Sequence, residues 1–175
     1  MNKKRKRFSL GVLLTLCGLV VTSAQAANTV QINIKGNLIL NPPCDISGPG
    51  NGPIDVDFSD MVIRKITGNN YQQPVNYTLT CDAPDTTNVA LTFVGDGVQL
   101  NSVNALKTDN DNLGIRFATM AGGNPTFVAL GTPIQFTNAQ RPVINAYPLI
   151  NSSVPASSIR AGAFTANVTL QASYP

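Results

Sequence analysis

Few residues in this chain of 175 could do chemistry. The sequence has no histidine and no glutamate, and its nine aspartates follow no motif spacing. General acid–base catalysis needs a titratable group beside the reacting atoms, and histidine or paired carboxylates supply it most often. The composition therefore predicts that the chain is not an enzyme, and we expect no cofactor.

One short segment loosely resembles a metal site. Asp109-Asn110-Asp111-Asn112 places oxygen ligands at calcium-loop spacing, but the glycine and the closing glutamate of an EF-hand loop are missing. We interpret it as a solvated loop. Zinc is not expected either, because no histidine and too few cysteines are available to complete a ligand set.

The first 26 residues have the features of a signal peptide. Five basic residues at positions 3–7 precede a short apolar run at 10–21, and Ala24-Gln25-Ala26 gives a cleavage site of small residues. An uncleaved membrane anchor is the alternative interpretation. Removal of the leader takes five of the twelve basic residues and leaves seven against nine acidic ones, a net charge of −2. We therefore expect no binding to nucleic acid or to an acidic membrane.

Two cysteines remain after loss of Cys17 with the leader. Cys44 and Cys81 are 37 residues apart, and an even pair in an exported chain predicts a disulfide. Closing a loop of that length stabilises the fold by about 4 kcal/mol in the chain-entropy model. Two free buried thiols are the alternative.

The elements that position these residues are predicted to be strands. Residues 164–174 alternate apolar and polar side chains throughout, and residues 61–71 follow no clear pattern. About seven strands, frequent turn residues and no helix signal indicate an antiparallel sandwich. Further strand candidates are residues 54–58, 75–81, 89–94, 113–120, 126–130, 134–137 and 143–149.

Two segments do not fit an ordinary sandwich. Residues 30–40 alternate strictly, but Pro42-Pro43 separates them from the rest, and their five large apolar side chains would contribute about 7–15 kcal/mol if buried. Residues 164–174 run to the chain end, so no later segment can cover their free edge. Both problems disappear if residues 30–40 of one chain complete the sheet of another. The alternative is that they form the first strand of a complete sandwich.

Both ends of the chain resemble a known family. The stretch 30–37 leading to Pro42-Pro43-Cys44, and the stretch 162–174 with Gly162 and a penultimate Tyr174, resemble pilins of chaperone–usher fimbriae. The similarity is greatest to the small tip-adaptor minor subunits of P and type 1 pili. Leu113-Gly114-Ile115 also looks like a recurrent strand of that family.

The resemblance implies an all-β, incomplete immunoglobulin-like sandwich that lacks its last strand. Residues 42–175 would form this pilin domain, and residues 27–41 a free donor-strand extension. The implied donor side chains are Val30, Ile32, Ile34, Gly36, Leu38 and Leu40, with Gly36 where the acceptor groove is shallow. The implied groove and chaperone-binding strand carries Gly162, Phe164, Val168, Leu170 and Tyr174.

The implied function is that of a structural minor subunit, a tip or adaptor pilin that contributes to cell adhesion. Its partners would be a periplasmic pilus chaperone, an outer-membrane usher and neighbouring subunits. It would be exported through the periplasm to the cell-surface fimbrium. Pro175 departs from the family pattern, since proline lacks a backbone N–H at the chain end. An adhesin-type subunit, a chain-terminating subunit and a monomeric binding sandwich remain alternatives.

Overall fold

The computed structural model describes residues 31–175; the predicted signal peptide at 1–26 and Val30 lie outside this part. The chain divides into two units between Asn37 and Leu38, and the strands of the described residues all belong to the second unit. Across the described residues there are strands and three short 3-10 turns, at Pro49–Asn51, Ile63–Lys65 and Ala156–Ser158, but no α-helix. No helical segment of this part is long and apolar enough to span a bilayer.

Eleven strands make up the fold of the described residues, and every pairing between them is antiparallel. They are β1 (Asp45–Ser47), β2 (Gln73–Pro74), β3 (Thr78–Thr80), β4 (Asn88–Val94), β5 (Gly97–Leu100), β6 (Val103–Lys107), β7 (Leu113–Ala121), β8 (Asn124–Val128), β9 (Ile134–Thr137), β10 (Val143–Ile150) and β11 (Thr169–Ser173).

The strands form three sheets. A three-stranded sheet has the order β11-β4-β9, and β1 pairs with β3 in a small separate sheet. The six-stranded sheet has the order β2-β10-β7-β6-β5, with β8 paired to the second half of β7. The prediction of an all-β antiparallel fold is confirmed.

The core lies between the three-stranded and six-stranded sheets. β4 contributes Val89, Leu91 and Phe93, which are almost fully buried, because its neighbours on both sides leave it in the centre of its sheet. From the other sheet, Phe117 of β7 stacks on Phe93 with ring centroids 3.9 Å apart. This stack ties the two sheets together.

The disulfide closes the start of the fold. Cys44 and Cys81 are bonded, as predicted, and Asp45 pairs with Thr80 directly beside them. The bond therefore fixes β1 to β3 at the start of the domain.

Several strand predictions are confirmed, at 89–94, 113–120, 134–137 and 143–149. The hairpin of β5 and β6 was not predicted; Asn101 and Ser102, both with positive φ, form its two-residue turn. Residues 54–58 were predicted as a strand and have no ladder partner within the described chain. The last predicted strand, 164–174, pairs only over Thr169–Ser173, because Thr169 lies opposite Val94, where β4 ends.

Candidate functional site

A groove lined by apolar and polar residues opens along one side of the domain. Its cavity volume is about 1090 Å³, and residues 54–58 and 163–168 form its two walls. Residues 54–58 were predicted as a strand, and residues 164–168 belong to the predicted last strand, 164–174; neither segment carries a ladder in the described residues. The groove thus lies where the sandwich lacks a strand.

The first wall has the side-chain pattern of a strand. Ile54, Val56 and Phe58 are partly or fully buried, whereas Asp55 and Asp57 between them are exposed. Within residues 31–175, positions 54–58 make no backbone–backbone hydrogen bond. Strand backbones normally pair their N–H and C=O groups, so this wall is ready to accept a neighbouring strand.

The second wall continues β11 toward its N-terminal side. Phe164, Ala166, Val168 and Leu170 are partly buried and line the groove, and the residues between them are exposed. In the described part of the chain, Thr165 alone among residues 163–168 makes a backbone–backbone hydrogen bond. The β11 edge opposite β4 is also unpaired in this part of the structure.

The two walls run in opposite directions. Phe58 and Phe164 face each other across one end of the groove, with ring centroids 6.2 Å apart. Toward the other end, β1 precedes the first wall and lies against β11, which follows the second. A strand placed between them is therefore antiparallel to one wall and parallel to the other.

The floor of the groove is the core itself. Phe93 and Phe117, the stacked pair, lie beneath it together with Leu106 and Ile115. Further apolar residues also line the cavity: Met61, Ile63, Ile66, Leu113 and Ile159. An occupant with alternating apolar side chains would bury this surface, at about 25 cal/mol per Å².

A polar clamp fixes the start of the second wall. The Asp109 N–H donates to the Thr165 carbonyl oxygen at 3.0 Å, and the Thr165 N–H donates to Asp109 Oδ1 at 2.9 Å. Arg160 forms an ion pair with the Asp109 carboxylate at 3.4 Å. Asn110 is buried and donates to the Arg160 carbonyl oxygen. The loop interpreted as solvated thus positions the groove wall.

Gly162 begins the second wall with a φ of +112°. Side chains with a Cβ rarely adopt this conformation, so a glycine is required where the chain turns into the wall. Tyr174 lies outside the groove lining; it packs on the core, and its hydroxyl is buried without a partner in the described residues.

The predicted donor-strand extension is exposed over residues 31–40, unlike the apolar side chains of the groove walls. Residues 31–40 form no strand, and Ile32, Ile34 and Leu40 are 80%, 91% and 95% exposed, with Leu38 fully exposed. A Cβ added to Gly36 would meet nothing within 4 Å. Exposed large apolar side chains in such a row are unusual for a soluble surface and are typical of an interaction segment.

The titratable groups with shifted pKa values lie outside the groove lining. Burial raises the pKa of Tyr77 to about 12, against a smaller opposing effect of Arg141, and its hydroxyl donates to the Pro142 carbonyl oxygen. Burial lowers the pKa of Arg116, whose guanidinium lies over the Phe127 ring. The described residues contain no group of three or more His, Cys, Asp or Glu residues that could hold a metal ion.

The sequence matches known proteins over most of its length. The model of a family described as "Fimbrial protein" matches residues 32–175. The uncharacterized fimbrial-like protein YfcQ of Escherichia coli K12 is 32% identical over 168 residues, covering 92% of this chain and 96% of YfcQ. The uncharacterized fimbrial-like protein YfcR of the same strain is 26% identical over 170 residues, covering 97% and 95%.

Solved structures show the same fold. The P pilus rod subunit PapA superposes with a TM-score of 0.56 and 22% identity, covering 84% of this chain and 100% of PapA. The P pilus adaptor subunit PapF gives a TM-score of 0.53 and 19% identity, covering 77% and 98%. The two neighbours have different positions in their pilus, so the fold alone does not distinguish an adaptor from a rod subunit.

Proposed function

Since the chain belongs to the fimbrial protein family, we propose that it is a minor pilus subunit of the tip or adaptor class, assembled by exchange of β-strands with its neighbours. It is a structural subunit of a chaperone–usher pilus at the cell surface, and it is not an enzyme. The tip or adaptor class is supported by the likeness of both chain ends to the small tip-adaptor subunits.

The groove with two unpaired walls carries the proposal. A complete sandwich would fill this space with a last strand, and within residues 31–175 no strand pairs with either wall. A strand supplied by another molecule would pair with both walls and bury the floor. β-Strand addition of this kind combines backbone hydrogen bonds with pockets for alternate side chains.

The extension at residues 27–41 would be the strand that fills such a groove in a neighbouring subunit. Val30, Ile32, Ile34, Leu38 and Leu40 would enter the groove of a neighbouring subunit, with Gly36 at its shallow point. Burying these five large side chains is worth about 7–15 kcal/mol before the entropy of ordering the segment is subtracted.

Two further partner proteins, a chaperone and an usher, would act during assembly. A periplasmic chaperone would lend a strand after export and bind the end of β11, including Tyr174 and the carboxylate of Pro175. An outer-membrane usher would then bring the extension of the next subunit, which displaces the chaperone strand. The signal peptide at residues 1–26 would direct this route.

Paired substitutions test strand exchange on both halves. Val168→Asp places a charge in the groove, whereas Thr169→Asp changes its exposed neighbour. Ile34→Asp and Asn33→Asp form the same pair on the extension. We expect Val168→Asp and Ile34→Asp to lose incorporation into surface pili, measured by immunoblotting of sheared fibres, and both controls to keep it. Equal incorporation of the members of each pair would contradict the proposal.

The position in the fibre needs a separate measurement. Immunogold labelling of the subunit should mark pilus tips at one or a few sites per fibre. Uniform labelling along the shaft would replace the minor-subunit assignment with that of a rod subunit, and strand exchange would stand.

A further inference from the structure

We propose that Asn51 is a site of spontaneous deamidation, and that the isoaspartate formed there weakens the binding of a strand in the groove. Asn51 lies in the loop that leads to the first groove wall. The modification follows from the chemistry of this loop alone, whereas its effect on binding rests on the proposed strand exchange. Four features carry it: the residue after Asn51, the exposure of Asn51, its unpartnered side-chain amide, and the position of the loop.

The residue that follows Asn51 favours the reaction. Asn51 precedes Gly52, and no other asparagine of the sequence precedes a glycine. Deamidation begins when the backbone nitrogen of the next residue attacks the carboxamide carbon of the asparagine. Glycine has no Cβ to obstruct this approach and leaves the backbone free to turn. Because the two groups belong to adjacent residues, the reaction is intramolecular and needs no enzyme.

The reaction is balanced with water as the only co-reactant. A bond forms between the Gly52 nitrogen and Cγ of Asn51, the bond from Cγ to the amide nitrogen breaks, and the proton of the Gly52 nitrogen leaves with ammonia. Water then opens the five-membered succinimide at either of its two carbonyl carbons. One opening gives aspartate. The other gives isoaspartate, in which the backbone runs through the former side chain and is one carbon longer.

Asn51 is accessible to this reaction. Its side chain is exposed and makes no hydrogen bond within residues 31–175. The Gly52 N–H donates to the Pro49 carbonyl oxygen at 3.3 Å, which is longer than the usual N–H···O bond. The attacking nitrogen is therefore held only weakly, and the attacked carboxamide is free to turn toward it.

Two other asparagines precede serine, which is also small, and both are held in place. Asn101 Nδ2 donates to the Ile150 carbonyl oxygen at 2.8 Å, and Asn151 Nδ2 donates to Asn112 Oδ1 at 3.2 Å. Their carboxamides cannot turn toward the following backbone nitrogen without losing these hydrogen bonds. Asn51 differs from both in its successor and in its unpartnered amide, so it should react first.

The loop of Asn51 is tied to the first wall. The Gly48 N–H donates to the Gly52 carbonyl oxygen at 2.8 Å, which closes the loop. Gly48 lies so close to Pro53 that a Cβ on it would overlap the Pro53 carbonyl group. Gly52 and Pro53 line the groove, and Ile54 begins the first wall directly after them. The extra backbone carbon of isoaspartate has no space in a loop closed this way, so we expect it to shift the start of the wall.

Mass spectrometry of the aged protein tests the modification. The purified, folded subunit is kept in mildly alkaline buffer and digested, and the deamidated fraction is measured at each asparagine. We expect Asn51 to convert about tenfold faster than Asn101 or Asn151, to a mixture of aspartate and isoaspartate. Conversion of all three at one rate would overturn the proposal.

A variant at the next position supplies the matched control. Gly52→Ala should slow the conversion of Asn51 about tenfold, because the added methyl group obstructs the attacking nitrogen. The variant should fold, since a Cβ at this position meets only the Pro49 carbonyl oxygen, at 3.4 Å. An unchanged rate in Gly52→Ala would show that attack by the Gly52 nitrogen is not the route.

Binding of a strand peptide tests the consequence. The probe is a peptide of alternating Ile and Thr with one central Gly, which has no charged side chain to respond to a new carboxylate. We expect the isolated isoaspartate form to bind it about tenfold more weakly than the unmodified subunit. Asn51→Asp should bind it like the unmodified subunit, because only isoaspartate lengthens the backbone.

The outcomes separate this inference from the proposed function. Equal binding by the isoaspartate form and the unmodified subunit would overturn the effect on the groove. If the unmodified subunit does not bind the peptide, strand exchange fails together with that effect, and mass spectrometry still decides whether Asn51 is modified.

Discussion

Asp109 holds the second groove wall but does not line the groove. Replacing it should therefore weaken the attachment of that wall without changing the side chains that line the groove. Asp109→Ala leaves the Thr165 N–H without its acceptor and removes the ion pair with Arg160. A hydrogen bond to a charged acceptor contributes about 1.5–3 kcal/mol. Because the two side chains are 48% and 54% exposed, solvent weakens both interactions, and the ion pair adds at most about 1 kcal/mol. We expect a net loss of about 1–2 kcal/mol.

Two further variants assign this loss to the clamp. Asp109→Asn keeps an oxygen acceptor for the Thr165 N–H and removes the charge, so it should cost less than about 1 kcal/mol. Asp111→Ala changes an exposed aspartate of the same loop and should be neutral. The assay is urea unfolding of the subunit with a strand peptide bound. Equal effects of Asp109→Ala and Asp111→Ala would refute the role of the clamp.

Two other predictions concern the stability of the domain. Replacing Cys44 and Cys81 together by serine should lower the free energy of unfolding by about 4 kcal/mol, measured by urea denaturation, and no change in the midpoint would contradict the stabilisation expected from the 37-residue loop. Tyr77 has a pKa raised from 10.0 to about 12, so its neutral form is favoured in the folded state. Its contribution is complete below pH 10 and is lost as the pH rises to 12. The melting temperature of the native chain should fall more steeply across that window than that of Tyr77→Phe, and parallel curves would show that Tyr77 contributes nothing.

The central strands could be predicted because their own residues determine them. β4, β7 and β10 are apolar and β-prone over seven to nine residues. Strands that are buried on both faces are stabilised by such a composition. β9 has the predicted bounds, 134–137. The disulfide followed from the cysteine count and the export signal.

The elements that were missed depend on local geometry or on distant partners. The β5–β6 hairpin turns on Asn101 and Ser102, and the asparagine was a usable signal for such a turn. The clamp could not be predicted, since Asp109 and Thr165 are 56 positions apart in the sequence and meet only in the folded chain. Asn110 is buried for the same reason, although its neighbours in the sequence are all polar.

A groove beside residues 164–174 was predicted from the sequence, because the resemblance implies a sandwich that lacks its last strand. Residues 54–58 and 164–168 have the alternation of strands, and their pattern is correct even though no ladder forms within the described chain. In the proposed function the missing partner of this pattern is a strand of another molecule. Val30 and the other donor residues remain a prediction of the sequence.

Amide hydrogen exchange of residues 54–58 and 163–168, followed with and without the peptide of residues 30–41, tests most directly whether the groove binds a strand. We expect rapid exchange in both walls of the free subunit and a slowing of about 100-fold or more in both when the peptide binds, because each wall then has backbone partners. Binding that stabilises the subunit but leaves either wall unprotected would show that the peptide does not complete the sheet.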